Sequence, residues 1–187
     1  MINFIMDEIN SYFNYLENEK NYSQNTIISY RNDINNFIFF LTDILKVSIN
    51  KENLIKLRYN EFRAWISFRT DSDFCNKSNA RALSALKGLF KFLQKRYDIF
   101  NPIVSKIKSP KLSEQLPRNV SLNNYIKIKE YIPVFVKEDW VIKRDIALIT
   151  LLYGCGLRIS EAVNIKMNDF YNNYKELKVI GKEIKKE

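Results

Sequence analysis

The sequence contains no histidine and is poor in the residues that build metal sites and disulfide frameworks. Its 187 residues include two cysteines, four glycines and four prolines. Without histidine, acid or base catalysis by an imidazole is excluded, and a zinc site lacks one of its usual ligands. Cys75 and Cys155 are too far apart in sequence to follow a metal-binding spacing. We therefore expect a protein that uses no metal.

Long apolar runs are also missing. No stretch approaches the eighteen or so uninterrupted apolar residues of a membrane-spanning helix. The first thirteen residues, MINFIMDEINSYF, place acids inside their apolar stretch and lack the residue order of a signal peptide. These absences predict a cytoplasmic protein without a membrane partner. A hydrophobic content of 46% is enough for one large or two small domains.

A formal net charge of +9 is the first indication of function. A surface excess of cations favours polyanions, because binding them releases condensed counterions. The chain is also rich in Asn, Ile, Tyr and Phe, which AT-rich codons encode, and the same codon bias raises the lysine content. The charge by itself leaves both interpretations open. The nine arginines are less affected by this bias and carry more weight.

Four helices are predicted in the first 100 residues, where apolar residues recur at helical spacing. They cover residues 3–19, 24–44, 59–70 and 79–96, with Ser23, Asn60 and Ser78 as the caps of the last three. The first helix is expected to bury Ile5, Ile9, Phe13 and Leu16, and the fourth Leu83, Leu86, Leu89, Phe90 and Leu93.

The fourth helix also carries a basic, acid-free stripe opposite its apolar face. The stripe consists of Arg81, Ser84, Lys87, Lys91 and Lys95, with Gly88 among them. Such a stripe can place several cations near DNA phosphates, whereas an ordinary solvated face usually mixes acids with bases. Lys77 and Arg31 complete the candidate DNA-binding set. A merely solvated helix face is the alternative.

A connector and a second domain are predicted after residue 100. Residues 101–120 contain three of the four prolines and no helical period, which suits an extended linker between a domain at 1–100 and another at 121–187. In the second domain, Ser121 is expected to cap one helix, Asp139 to open another that ends at Gly154, and Ser160 to cap a short third. Asn172 and Asn173 predict a turn, and residues 176–181 the first strand of a hairpin whose bend includes Lys182.

The segment LLYGCGLRIS, residues 151–160, places one arginine behind two glycines. Gly154 and Gly156 allow a sharp reversal that holds Arg158 at a helix N-terminus, where a guanidinium can grip two phosphate oxygens. A plain joint between two helices, with Arg158 in a salt bridge to Glu161, explains the same spacing. The residues themselves do not decide between these interpretations.

Four segments together resemble the tyrosine recombinases of the phage-integrase family, most closely their XerC/XerD branch. The segment RDIALITLLYGCGLRISEAVNIKMNDF resembles the first signature box of the family's catalytic domain. YSQNTIISYRNDINNF, NARALSALKGLFKFL and NPIVSKIKSPKLSEQLP resemble, in order, helices and the linker of its N-terminal core-binding domain. The resemblance covers nearly the whole chain.

The resemblance implies a mainly α fold, with a four-helix SAM-like core-binding domain and the first portion of a mixed α/β catalytic domain. In this family a tyrosine attacks a DNA phosphodiester during site-specific recombination, for integration or chromosome segregation, without metal or ATP. Arg158 matches the first of two arginines that stabilise the transition state, Glu161 would orient it, and Lys182 matches the lysine that protonates the departing 5′ oxygen. Double-stranded DNA and a paralogous recombinase subunit in a tetrameric synapse are the implied partners.

The sequence departs from the family pattern after Lys182. GKEIKKE differs from the usual Gly-Lys-Gly-Asn-Lys bend, and the His-x-x-Arg motif and the tyrosine nucleophile are not found in the 187 residues. We therefore expect a C-terminally truncated, inactive form that retains DNA binding. A stand-alone DNA-binding protein, or a helical interaction module without nucleic-acid function, are the alternatives.

Overall fold

The computed structural model describes residues 2–111, 119–171 and 176–179, with side chains from residue 5 onward. The chain divides into two compact units, residues 1–114 and 115–187. Unit 1 contains α1 (Ile2–Asn18), α2 (Gln24–Phe39) with a π-helical last turn (Phe40–Ile44), α3 (Lys51–Lys56), α4 (Tyr59–Asp71), α5 (Asn76–Tyr97) and α6 (Pro102–Lys106). Unit 2 contains α7 (Leu122–Phe135), α8 (Asp139–Gly154), α9 (Ile159–Val163), a 3-10 turn (Met167–Asp169), β1 (Phe170–Tyr171) and β2 (Glu176–Leu177).

The four long helices of unit 1 enclose one apolar core. All nine residues expected on the inner faces of α1 and α5 are buried, which confirms the helical period in the sequence. Rings from α1, α2, α4 and α5 fill the centre, and Phe37 lies between Phe62, stacked at 5.8 Å, and Trp65, edge-on at 4.9 Å. The mainly α architecture and the core-binding bundle are therefore as expected, with the short helices α3 and α6 in addition.

Two predicted N-caps are confirmed and three are wrong. The hydroxyls of Ser23 and Ser121 accept the backbone N–H groups of Thr26 and Asn124, each at 3.3 Å. The caps of α4, α5 and α9 are instead Arg58, Cys75 and Arg158, not Asn60, Ser78 and Ser160.

At α4 and α9 the cap position shifted because an acid in the first helical turn bonds back to the chain, whereas α5 has no acid in its first turn and its cap, Cys75, makes no side-chain cap bond. At α4 the Glu61 carboxylate accepts the backbone N–H of Arg58 at 2.8 Å, three residues earlier in the chain. Helix α8 begins at Asp139, and its N-cap Glu138 makes no side-chain cap bond.

The first residues of the expected linker are folded onto unit 1, contrary to the prediction of an extended connector. Asn101 caps α6, and its amide nitrogen donates to the carbonyls of Leu54 at 2.9 Å and Leu57 at 2.9 Å. Val104 and Ile107 are buried in the core. Asn101 thus bonds carbonyls at the end of α3, and Pro102 is the first residue of α6, where a helix tolerates proline.

Unit 2 is less buried than unit 1. Ala162 is the only hydrophobic residue classed as buried among its described residues. The apolar residues at helical spacing on α8, Ile142, Ile146, Ile149 and Leu152, are only half-buried. The contact between α7 and α8 includes the stacked rings of Tyr125 and Tyr153, whose centroids are 4.4 Å apart.

The described strand pairing differs from the prediction. Glu176–Leu177 pairs antiparallel with Phe170–Tyr171, so β2 is the second strand of a hairpin and β1 was not predicted. Two-residue strands are too short to give an alternating hydrophobic pattern, which explains why β1 was missed. The predicted turn at Asn172 and Asn173 and the bend at Gly181 and Lys182 lie outside the described residues.

Candidate nucleic-acid interface

The basic stripe of α5 occupies a narrow arc of the helix surface. With about 100° per residue, Lys77, Arg81, Ser84, Gly88, Lys91 and Lys95 fall within an arc of about 80°. From Lys77 to Lys95 the arc is about 27 Å long at 1.5 Å per residue. The 22 residues of α5 include no acid, so charge on this face is neutralised only by neighbouring helices.

Three lysines of the arc are exposed: Lys77, Lys91 and Lys95. The Ser84 hydroxyl is exposed too, and donates to the carbonyl of Ala80 at 3.0 Å. While this bond is made, the Ser84 hydroxyl has no proton left to donate to a phosphate oxygen. These four residues lie where a phosphate backbone can approach them.

Lys87 lies at the side of the arc and makes an internal contact. Its ammonium donates to the carbonyl of Ile107 at 2.7 Å, and the side chain is half-buried. This bond ties α5 to the segment after α6. We therefore separate Lys87 from the exposed lysines, although the sequence places it in the same basic stripe.

Arg81 is held by a carboxylate from another helix. Its Nε donates to Oδ2 of Asp33 at 2.9 Å, and its Nη2 donates to Oδ1 at 3.3 Å. Asp33 belongs to α2 and is 2% exposed, whereas the Arg81 side chain remains 45% exposed. The hydrogen bond with Asp33 raises the pKa of Arg81, so this side chain is a fixed cation at the edge of α5.

The same carboxylate binds a second, fully buried arginine that the sequence analysis missed. Arg69 of α4 is 1% exposed and donates to Asp33 at 3.1 Å and to Asn79 of α5 at 2.9 Å. Burial lowers the pKa of Arg69 while Asp33 acts in the opposite direction. The signal was present in the sequence, since Arg69 follows Phe62 and Trp65 on the apolar face of α4.

Arg31 lies on α2 and is exposed. Its guanidinium carbon is 4.2 Å from the ring centroid of Phe13, a cation–π contact that fixes the stem of the side chain. Arg31 and Arg81 are thus both supported by other helices, the first by a ring and the second by a carboxylate.

A cavity of about 400 Å³ opens beside the arc, between α1 and α5. Its wall combines rings with cations: Tyr12, Tyr15, Tyr22 and Phe92, and Lys20, Lys91, Lys95 and Arg96. Gly88 also lines this cavity, and a Cβ atom there would collide with the Tyr12 hydroxyl. The glycine therefore sets how closely α1 and α5 pack.

In unit 2, the corner between α8 and α9 positions Arg158. Helix α8 ends at Gly154, and Gly156 has φ of 64°, the left-handed conformation that favours glycine. Gly154 has no such requirement, and a Cβ atom there would meet nothing within 4 Å. One glycine, not two, is therefore needed for the reversal.

Arg158 makes the salt bridge that the sequence analysis had left as an alternative. Its Nη1 is 3.0 Å from Oε1 of Glu161, and its backbone N–H donates to Oε2 of the same residue at 2.8 Å. The backbone N–H of Arg158 is therefore not available to an anion. The Arg158 side chain is nevertheless 77% exposed, so the remaining edge of its guanidinium is accessible.

Glu161 is the partner that fixes this geometry. The backbone hydrogen bond from Arg158 lowers the pKa of Glu161, and the side-chain bond to Arg158 acts in the same direction. The carboxylate is thus charged when the arginine is in place. Lys182, the third catalytic candidate, lies outside the described residues.

Comparisons with known proteins agree with this arrangement. Residues 9–97 match the family described as "Phage integrase, N-terminal SAM-like domain". The tyrosine recombinase XerC of Rickettsia prowazekii (strain Madrid E) is 35% identical over 178 residues, covering 95% of this chain and 58% of that protein. XerC of Rickettsia bellii (strain OSU 85-389) is 37% identical over 172 residues, covering 90% of this chain and 55% of that protein.

The match of residues 9–97 and the similarity to XerC over nearly the whole chain together place this protein among the integrase-type proteins. The chain belongs to the tyrosine recombinase family and is XerC-like. It spans a little over half the length of the curated relatives it matches. Within the described residues, no helix is long and apolar enough to cross a membrane.

Proposed function

We propose that this chain binds double-stranded DNA in site-specific recombination of the tyrosine recombinase type. The acid-free arc of α5 carries the proposal, because three exposed lysines and the fixed guanidinium of Arg81 follow one helix edge. Cations spaced along a helix neutralise successive phosphates, and the binding is then strongly dependent on salt.

We assign Arg158 the part of the first transition-state arginine, and Glu161 that of its positioning partner. An exposed guanidinium with one edge fixed by a carboxylate presents its other edge to a phosphodiester. Lys182 is proposed as the acid for the leaving 5′ oxygen. We also propose that the chain acts in the cytoplasm, together with a paralogous recombinase subunit in the synapse.

The experiment is a titration of a fluorescent 30-base-pair duplex with the protein, followed by anisotropy at several salt concentrations. Lys91→Ala and Lys95→Ala are each expected to weaken binding to all sequences and to reduce the salt slope by about 1. Lys56→Ala is the matched control, because Lys56 is an exposed lysine of α3 and the substitution removes the same charge. Equal effects of all three substitutions would place the DNA elsewhere, and no binding at low salt would refute the proposal.

Two substitutions of Arg158, measured in the same titration, test its contact with DNA. Arg158→Ala and Arg158→Lys are expected to weaken binding of the duplex to a similar extent, because a lysine lacks the planar guanidinium that holds Glu161 with one edge and a phosphate with the other. Full retention of affinity by Arg158→Lys would show that charge alone matters at the corner.

A further inference from the structure

The buried carboxylate of Asp33 binds two arginines, whereas a purely structural ion pair needs only one. It joins α2 to two arginines on different helices, one sealed in the core and one at the DNA-facing arc. Two guanidinium groups around one carboxylate leave a net positive charge at this place. Arg69 is compensated further by Asn79 and by the oxygen of Asn36, at 2.9 and 3.2 Å.

The two arginines differ in what remains available to a ligand. Arg69 has its Nε, Nη1 and Nη2 all bonded inside the protein and is closed to solvent. Arg81 uses one N–H of Nε and one of Nη2 on Asp33, which leaves three of its five N–H donors. Nearly half of its side chain is exposed.

We infer that Asp33 is a positioning residue that orients Arg81 for a two-point contact with a DNA phosphate, an inference that rests on the proposed DNA-binding function. The two hydrogen bonds to Asp33 immobilise one edge of the Arg81 guanidinium. The rotamer of Arg81 is therefore already selected when a phosphate binds. Arg69 in turn fixes the carboxylate, because its Nη2 donates to Oδ1 of Asp33 while its Nε and Nη1 are held by the amide oxygens of Asn79 and Asn36. An arginine in solvent would lose side-chain entropy on binding that Arg81 has already lost on folding.

The first test compares two substitutions of Arg81 in the otherwise native chain. A lost phosphate contact is expected to weaken binding at 0.1 M salt about eightfold, since each contact contributes a salt slope near 0.9. Arg81→Ala should show this loss, and Arg81→Lys should show nearly the same loss because a lysine drawn to Asp33 has no second edge to offer. Lys56→Arg is the matched control, because Lys56 is an exposed lysine of α3 outside the arc, and it should leave the affinity unchanged.

The second test removes the carboxylate without leaving a lone charge in the core. Asp33→Asn combined with Arg69→Met neutralises both buried partners together, which proteins tolerate better than removal of one. On this background, Arg81→Ala should weaken binding only about twofold, compared with about eightfold in the native chain. Circular dichroism melting checks that the background is folded.

The outcomes separate the positioning role from the DNA-binding proposal. If Arg81→Ala costs nothing in the native chain, Arg81 does not contact DNA and the proposed interface is wrong at this point. If it costs the same factor on both backgrounds, or if Arg81→Lys binds as well as the native protein, the contact stands and positioning by Asp33 is overturned. The Arg81→Lys comparison decides the matter even where the double background does not fold.

Discussion

The guanidinium of Arg158 lies 3.0 Å from the carboxylate of Glu161 and is still largely open to solvent. A salt bridge three residues apart, at the start of a helix, is a common structural device and stabilises little when exposed. Here the same carboxylate also accepts the backbone N–H of Arg158, so both the backbone and the side chain of the arginine are fixed by one residue. The structural and the catalytic interpretations of this corner therefore describe one geometry.

The pKa of Glu161 is expected to lie below 4.5, its ordinary value, mainly because of the backbone hydrogen bond from Arg158. A carboxyl whose pKa is lowered by folding stabilises the folded state above 4.5 and loses that contribution as the pH falls through the lowered pKa. NMR titration of the Glu161 carboxyl carbon measures it. Arg158→Ala should reverse only part of the shift, since the backbone donor remains; complete reversal would assign the shift to the guanidinium instead.

Gly88→Ala is expected to destabilise unit 1 by about 1–3 kcal/mol, although alanine is the better helix former by about 1 kcal/mol. The new Cβ atom would collide with the hydroxyl of Tyr12, which is buried and donates to the carbonyl of Ala85. Thermal denaturation measures the change. Adding Tyr12→Phe should recover part of the loss by removing the colliding atom.

Gly154→Ala is the matched control for this prediction. It places the same methyl group at the end of α8, where nothing lies within 4 Å. The substitution should be neutral or stabilising. Equal destabilisation at both glycines would mean that the contact with Tyr12 is not the cause.

Glu8→Gln is expected to raise the melting temperature at pH 7. Glu8 is 4% exposed, and its Oε2 has no hydrogen-bond partner in the part of the chain that the structure describes. Burial raises the pKa of Glu8 above 4.5, although Lys51 opposes the shift. The folded state then binds the proton more tightly than the unfolded chain, so stability falls as the pH rises from 4.5 through the raised pKa.

A pH series of melting curves checks this sign. The native chain should lose melting temperature across that range relative to Glu8→Gln, because the amide has no charge to bury. Parallel curves for the two proteins would show that the Glu8 carboxylate is solvated in the folded state.

Hydrogen exchange is expected to be slowest in α5 and faster in α7 and α8. The amides of residues 83–93 lie in a helix whose inner face is fully buried, whereas α7 and α8 have no fully buried residue among those described. Local opening costs less where fewer apolar contacts are broken. Uniform protection across both units, measured by mass spectrometry, would contradict this prediction.

Much of the fold of unit 1 could be predicted from the sequence, because apolar residues recur at helical spacing where one face of a helix must be buried. Leu83, Leu86 and Leu93 recur at the spacing of one helix face, and a chain that must bury them has few alternatives to this bundle. The short helices α3 and α6 were not predicted, since five or six residues carry too little period to be recognised. The capping residues of α4 and α9 differ from the prediction because Glu61 and Glu161 bond the chain three residues back.

The sequence by itself determined the four long helices, the acid-free face of α5 and the glycine-containing corner before Arg158, because each depends on residues close together in the chain. Only the tertiary structure decided that Lys87 contacts the Ile107 carbonyl, that Arg69 is buried, and that Asp33 holds Arg81. Those contacts join residues 20 to 48 positions apart. The cations of a stripe look alike in sequence, and packing between helices determines which of them remain exposed.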